Sequence, residues 1–365
     1  MSHDHACKST VFVVLALLLS GVLNTALWGQ LSSNASVFAV GLDYPRGLKF
    51  GPDGNLYVAE AGRGGPNTTV GKCQQDEGVG PFQGGLTARV SRVSPTGVVS
   101  TAVSGLPSAQ GNPGLTGFVL GAADVAFLGQ TLYVLVAGGG CAHGNIDNPA
   151  SIVRANPNGT WTMIADLSDF LHKHPVANPP ADFDPDGTWY SMTTAQGNFY
   201  VVNPNQGDID RVTPGGQITR VIDTSAVYGH FVPTAIAYHG NFYVGQLGVL
   251  PVVPGTQSIL KITPSGQSKV DTSGLTAIVG MTFDNRGRLY VLEATTVPGF
   301  YEPGTGAVIR VNPNGSKDTI ATGLTSPSAI TFGPDGALYV SNFGFGLFES
   351  LPLNSGQILR IEIPN

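Results

Sequence analysis

One phrase recurs six times along the 365 residues of this chain, and such a recurrence restricts the fold more than any single motif does. The phrase is an apolar strand, a glycine-bearing turn, then an aliphatic or aromatic residue followed by Tyr-Val. It reads GLKFGPDGNLYVAE at 47–60, DVAFLGQTLYVLV at 124–136 and YSMTTAQGNFYVVN at 190–203. It returns as AIAYHGNFYVGQ at 235–246, MTFDNRGRLYVLE at 281–293 and ITFGPDGALYVSN at 330–342. The repeated tyrosines are Tyr57, Tyr133, Tyr200, Tyr243, Tyr290 and Tyr339. A second phrase, a basic residue followed closely by Pro-x-Gly and another strand, begins at Arg92, Arg154, Arg211, Lys261 and Arg310 and is cut short at Arg360.

Each phrase reads as a β-hairpin. Alternating apolar residues supply the strands, and Asp-Gly, Gln-Gly or Asn-Gly supplies the turn with positive φ. Two hairpins make a four-stranded antiparallel blade, and six units make a closed ring, so the expected fold is an all-β, six-bladed β-propeller. After Arg360 there is room for a third strand but not a fourth. The missing strand is supplied by Ser36–Val40, which resembles Asp318–Ala321; both are followed by Gly-Leu. The N-terminal strand is thus expected to close the ring and cover its edge. Residues 36–365 form a single domain on this view.

Composition agrees. Only 12% of residues are charged, about half the usual level, while 50 glycines and 26 prolines provide turns. A net charge of −6 argues against nucleic acid as a partner. Three cysteines are too few for a disulfide scaffold.

The chain opens with Lys8 ahead of the apolar run Val11–Leu19, short for a membrane span but suited to a signal-peptide core. Ser33 and Ala35 offer a small-x-small cleavage site before Ser36, making 1–35 a signal peptide; the alternative is an uncleaved N-terminal anchor. Both put the folded part outside the cytoplasm, secreted or periplasmic. His3, Asp4, His5 and Cys7 belong to the leader. No membrane span is expected in the mature chain, and a monomer is expected.

A residue repeated in every blade serves the blade, so function is sought where the repeats are unequal. The Tyr-to-basic spacing, which measures the loop between second and third strands, is 35, 21, 11, 18, 20 and 21. The basic-to-next-Tyr spacing, which measures the crossovers between blades, is 41, 46, 32, 29 and 29. The long segments lie on one face, in a crescent over blades one to three. His143, His172, His174 and His230 fall in loops of that face, as metal, acid–base or ligand candidates or as solvated structural residues. Arg46, Asp124, Ser191, Thr234 and Ser328 stand at the tops of inner strands facing the channel. Glu60, Glu293 and Asn342 end second strands at the same level, either as ligand-binding groups or as acceptors for loop amides.

Cys73 and Cys141 sit in the long loops of neighbouring blades, as a disulfide pinning the first loop or as two separate thiols. Asp182-Phe-Asp184-Pro-Asp186-Gly187 has the D-x-D-x-D-G spacing that Ca²⁺ accepts, but Thr193 stands at the twelfth position and Tyr190 at the ninth. It is therefore either an incomplete Ca²⁺ site or an acidic turn. No other cofactor is expected. No G-x-S-x-G, H-E-x-x-H or P-loop motif is present.

The repeats resemble the broad NHL and SMP-30-like propeller group. More narrowly, GLDYPRGLKFGPDGNLYVAEAGRGG at 41–65, with the long Cys-bearing loop and TARVSRVSPTG at 87–97, resembles the ScyD/ScyE family. That resemblance implies an extracytoplasmic protein linked to late assembly of the pigment scytonemin. Family members often carry two cysteines in the first long loop; this chain has only Cys73 there, so a pairing with Cys141 would depart from the family. The expected function is non-catalytic binding of a small molecule or protein partner on the looped face. The alternative is a divalent-metal-dependent hydrolase or lyase with its site at the mouth of the central channel.

Overall fold

The computed structural model describes residues 30–112, 118–345, 352 and 354–363. The expected leader core lies outside the described residues. The first strand, β1 (Ala35–Leu42), is set apart from the four-stranded unit that follows it in sequence. Blade one comprises β2 (Pro45–Phe50), β3 (Leu56–Glu60), β4 (Gln83–Val93) and β5 (Val99–Gln110), with the two-residue β6 (Val119–Leu120) added at its edge. Blade two holds β7 (Ala122–Leu128), β8 (Thr131–Val136), β9 (Ser151–Ala155) and β10 (Trp161–Asp166). The crossover to blade three carries α1 (Leu167–Lys173), whose first turn is capped by the Asp166 carboxylate accepting from the Asp169 amide. Blade three is β11 (Ser191–Ala195), β12 (Asn198–Asn203), β13 (Asp208–Val212) and β14 (Ile218–Asp223), followed by the short α2 (Thr224–Tyr228). Blade four is β15 (Pro233–His239), β16 (Asn241–Gln246), β17 (Gln257–Ile262) and β18 (Ser268–Leu275). Blade five is β19 (Ile278–Phe283), β20 (Leu289–Glu293), β21 (Gly306–Val311) and β22 (Lys317–Leu324). Blade six is β23 (Ala329–Phe332), β24 (Leu338–Asn342) and β25 (Gly356–Ile361), completed on its outside by β1.

The N-terminal strand therefore closes the ring. β1 pairs antiparallel with β25, with Ala35 opposite Ile361 and Leu42 opposite Gly356. The residues just before it also join the blades: Ser32 donates its amide to the Thr322 carbonyl, and the Asn34 amide group donates to the carbonyls of Ile320 and Glu362.

The two repeated phrases meet in every blade. Tyr57 pairs with Arg92, Tyr133 with Arg154, Tyr200 with Arg211, Tyr243 with Lys261, Tyr290 with Arg310 and Tyr339 with Arg360. Each tyrosine ring then packs on a phenylalanine of the next blade. The partners, in ring order, are Phe127, Phe199, Phe242, Phe283, Phe332 and, across the closure, Phe50. Centroids lie between 4.2 Å for Tyr200–Phe242 and 5.2 Å for Tyr57–Phe127. The aromatic ladder is thus an inter-blade seam.

The core lies between blades. At the closure, Leu48 and Val58 of blade one pack with Ala337, Tyr339 and Ile358 of blade six and with Leu42 of β1. Strands covered on both faces leave few positions for charge, which accounts for the low charged fraction. The Gly-Pro-Asp-Gly turns at 51–54 and 333–336 end on glycines at φ 78° and 77°, a left-handed conformation that glycine adopts at little cost. Among the described residues no helix is long and apolar enough to cross a membrane.

Candidate functional site

Two cavities meet on the propeller axis. The inner strands line the first, a channel of about 240 Å³ whose lining includes Lys49, Asp124, Ser191 and Ser328. The second, of about 220 Å³, opens at the channel mouth on the looped face. Its walls are mainly apolar, with Val79, Phe118, Leu247, Leu250, Tyr301 and Phe345 prominent, and Asp76, Asp182, Asn205 and His230 also line it. Arg46 and Tyr190 line both cavities and stand between them.

Arg46 is buried. Its Nη2 donates to the Val119 carbonyl at 2.6 Å, and its guanidinium lies 5.4 Å from the centre of the Phe345 ring. Burial lowers its pKa, and the neighbouring phenols of Tyr190 and Tyr44 oppose that shift. The Tyr190 hydroxyl donates to the Ser328 carbonyl at 3.0 Å. Burial pushes this phenol up to about 12, against the pull of the Arg46 charge. Residues from blades one and three are thus tied over the axis to the crossover into blade two and to blade six.

Below them, Asp124 cross-links inner strands. Its Oδ2 accepts from the Met192 amide at 2.7 Å and from the Ser191 hydroxyl at 3.3 Å, and its Oδ1 accepts from the Val125 amide at 2.8 Å. A Cβ on Gly47 would overlap this carboxylate, so the glycine after Arg46 is what admits it. Burial pushes the Asp124 carboxyl up to about 6, although the Met192 amide and the Lys49 charge favour its ionised form.

The long loops are fastened behind the mouth. Cys73 and Cys141 form a disulfide across 68 residues of sequence, and the Thr69 hydroxyl donates to the Cys141 carbonyl. Two residues on, His143 is wholly buried, its ring edge-on to Phe82 at 4.9 Å. Its Nε2 faces Asp184 Oδ2 at 2.9 Å and its Nδ1 faces the Gly139 carbonyl at 2.6 Å. Asp184 also accepts from the amides of Asp186 and Gly187, and Asp186 accepts from the Ala142 amide at 2.7 Å.

This geometry redistributes the residues expected to form a site. The D-x-D-x-D-G turn does not gather its carboxylates around one point: Asp184 and Asp186 turn inward to hold the blade-two loop, while Asp182 lines the mouth cavity. Among the described residues no three His, Cys, Asp or Glu side chains are placed to hold a metal ion. His143 is a fastening group away from the cavity. His172 is half exposed, 3.8 Å from Asp186 Oδ1. His174 stacks on Phe170 at 4.4 Å as the C-cap of α1. Only His230 of the four lines the mouth.

Glu60, Glu293 and Asn342 accept from loop amides. Glu60 takes the Asp43 amide at 2.6 Å, Glu293 the Thr276 amide at 2.7 Å and Asn342 the Thr325 amide at 2.8 Å. The three pairs share one sequence separation, 17 residues, so this is a repeated fastening of crossover to strand. Arg89 holds Glu60 further with two bonds of 2.8 Å. Burial pushes the Glu293 carboxyl up to about 7, against the Thr276 amide and the Lys317 charge.

The cavity also differs from the crescent expected over blades one to three, because Leu247, Leu250, Tyr301 and Phe345 bring in blades four to six. Tyr190 and Tyr301 were the missed residues of most consequence. A signal existed: both are among the five tyrosines outside the repeated Tyr-Val position, and Tyr190 stands at an inner-strand top where blades two, four and six place Ala123, Thr234 and Ser328.

Neither a protein-family profile nor a curated protein sequence matches this chain. Solved structures do resemble it. The PQQ-bound aldose sugar dehydrogenase of Streptomyces coelicolor is 13% identical with a TM-score of 0.55, over 92% of this chain and 99% of that one. A gluconolactonase from Xanthomonas campestris is 12% identical with a TM-score of 0.54, over 90% and 89%. A streptogramin B lyase is 14% identical with a TM-score of 0.50, over 92% and 99%. At these identities the likeness is one of fold, the six-bladed propeller.

Proposed function

We propose that this protein is an extracytoplasmic propeller that binds a small, largely apolar molecule in the cavity at its channel mouth, without chemistry of its own. The observation that carries this reading is the cavity itself. It is concave, apolar-walled and built by loops and crossovers from around the ring, with a few polar groups at its floor and rim, which is the usual composition of a small-molecule site. Two of the carboxylates a hydrolytic site could draw on are engaged elsewhere: Glu60 is held by Arg89 and the Asp43 amide, and Asp184 by His143. The apolar leader and the Cys73–Cys141 disulfide fit an oxidising compartment. The ScyD/ScyE-like first blade suggests a role beside the late assembly of an extracellular pigment of the scytonemin type.

The test is a fluorescence titration of the purified protein with 2-naphthol, a neutral arene that fits the cavity. Saturable one-to-one binding is expected, and Leu247→Trp, which fills the wall while leaving the circular dichroism unchanged, should abolish it. Absence of saturable binding by 2-naphthol and by its carboxylate and carboxamide analogues alike, or binding indifferent to that substitution, overturns the reading.

A further inference from the structure

We propose that the mouth cavity selects a monoanion, an arene or short alkyl chain ending in a carboxylate, and that Arg46 is the seat of its charge. The inference rests on the small-molecule reading above and gives it a ligand class.

A guanidinium removed from water is costly unless paired. Arg46 is 8% exposed, and among the described residues no carboxylate forms an ion pair with it. Its partners are neutral: the Val119 carbonyl, the face of Phe345 and the neighbouring phenol of Tyr190. These offset part of the lost hydration, but none supplies a negative charge. Three other cations among the described residues, the partly buried Arg89 and Arg220 and the buried His143, are held differently. Arg89 has Glu60, Arg220 has Asp208, and His143 has Asp184, at 2.8, 2.8 and 2.9 Å. Arg46 departs from that pattern and lines the mouth cavity.

The surroundings narrow the ligand. The planar fork of an arginine matches a carboxylate, donating two parallel bonds to its oxygens. Apolar walls lower the local dielectric and strengthen that pairing, and they also favour a carbon skeleton behind the charged group. Asp76 and Asp182, which also line the cavity, disfavour a ligand carrying a second negative charge. A cation is excluded from the floor by Arg46 itself.

The test compares 2-naphthoate with 2-naphthamide, which share shape and differ in charge, alongside 2-naphthol. The wild-type protein should bind the carboxylate at least about tenfold more tightly than the amide, the scale of one charge-assisted pair. Arg46→Met should equalise the two, the carboxylate losing far more affinity than the amide. Arg46→Lys, which keeps the charge but not the fork, should retain part of the preference. The wild-type preference should also fade toward pH 4, where the probe's carboxylate protonates. Equal affinities in the wild type, or a preference that survives in Arg46→Met, overturn the anion seat while the small-molecule reading stands. Failure of all three probes to bind removes that reading as well.

Discussion

The imidazole of His143 donates to Asp184 through Nε2, 2.9 Å away, at a point where both side chains are fully buried. Its other nitrogen faces the Gly139 carbonyl at 2.6 Å, and a carbonyl only accepts. Both ring nitrogens must therefore carry hydrogen, so the residue is a buried imidazolium. Burial opposes that charge, yet Asp184 by charge and hydrogen bond, with Asp186 and the Gly139 carbonyl, outweighs it and raises His143 to about 9.

A pH dependence of stability follows. Because the folded pKa lies above the ordinary value of 6.5, the native state binds the extra proton between the two values. The pair's contribution is complete below pH 6.5 and is lost as pH rises through about 9. The full shift corresponds to about 3 kcal/mol. Urea midpoints measured from pH 6 to 10 should fall across that window, and the fall should be absent in His143→Gln. That variant should also be less stable at pH 6 by about 3 kcal/mol, because Asp184 is left as an unpaired buried charge. A flat wild-type profile would show that the ring is neutral.

Glu60 makes a second prediction about buried charge. It is inaccessible and held by Arg89, Ser91 and the Asp43 amide. Removing the cation alone, in Arg89→Met, should cost about 3 kcal/mol because the carboxylate stays behind. Adding Glu60→Gln should restore much of that loss, since the neutral amide still accepts from Asp43. Equal stability of the single and double variants would mean that Arg89 contributes packing alone.

The disulfide bears on the site as well as on stability. Cys73 lies three residues before Asp76 and six before Val79, both part of the mouth cavity. Closing a loop of 68 residues contributes up to about 4 kcal/mol through the unfolded chain. Replacing Cys73 and Cys141 by serine should lower the melting temperature by several degrees and weaken 2-naphthol binding, as the wall loses its fixed position. Mass spectrometry without reductant should find both thiols oxidised in the wild type.

How much of this could be read from the sequence depended on whether a signal was repeated. The strands, the blade count and the closing strand rest on local alternation written six times, so a weak cue at Tyr57 is confirmed by the same cue at Tyr133 and beyond. The 17-residue pairing of Asp43 with Glu60 recurs at Thr276–Glu293 and Thr325–Asn342, and that recurrence already favours a structural role for those acceptors. The mouth cavity has no such signal. Val79, Leu250 and Phe345 reach it singly, from loops far apart in sequence and unlike one another, and only closure of the ring brings them together. Arg46 was visible as an inner-strand residue, but its lack of a charged partner is a property of three dimensions.

The closing strand yields the last prediction. β1 covers β25, and Leu42 at its end is fully buried between blades one and six. Three chains beginning at Gln30, Ser36 and Asp43 separate the contributions. The first keeps the bonds of Ser32 and Asn34 to the fifth and sixth blades. The second is the chain that cleavage after Ala35 would leave. It should fold but lose about 1–2 kcal/mol, the net worth of those few hydrogen bonds. The third loses the whole strand, so β25 presents an open edge beside an emptied core site, and exposed edges pair with other chains. It should appear as aggregate by size-exclusion chromatography. A monomeric, cooperatively melting chain from Asp43 would show that the blades hold the ring without the strand that closes it.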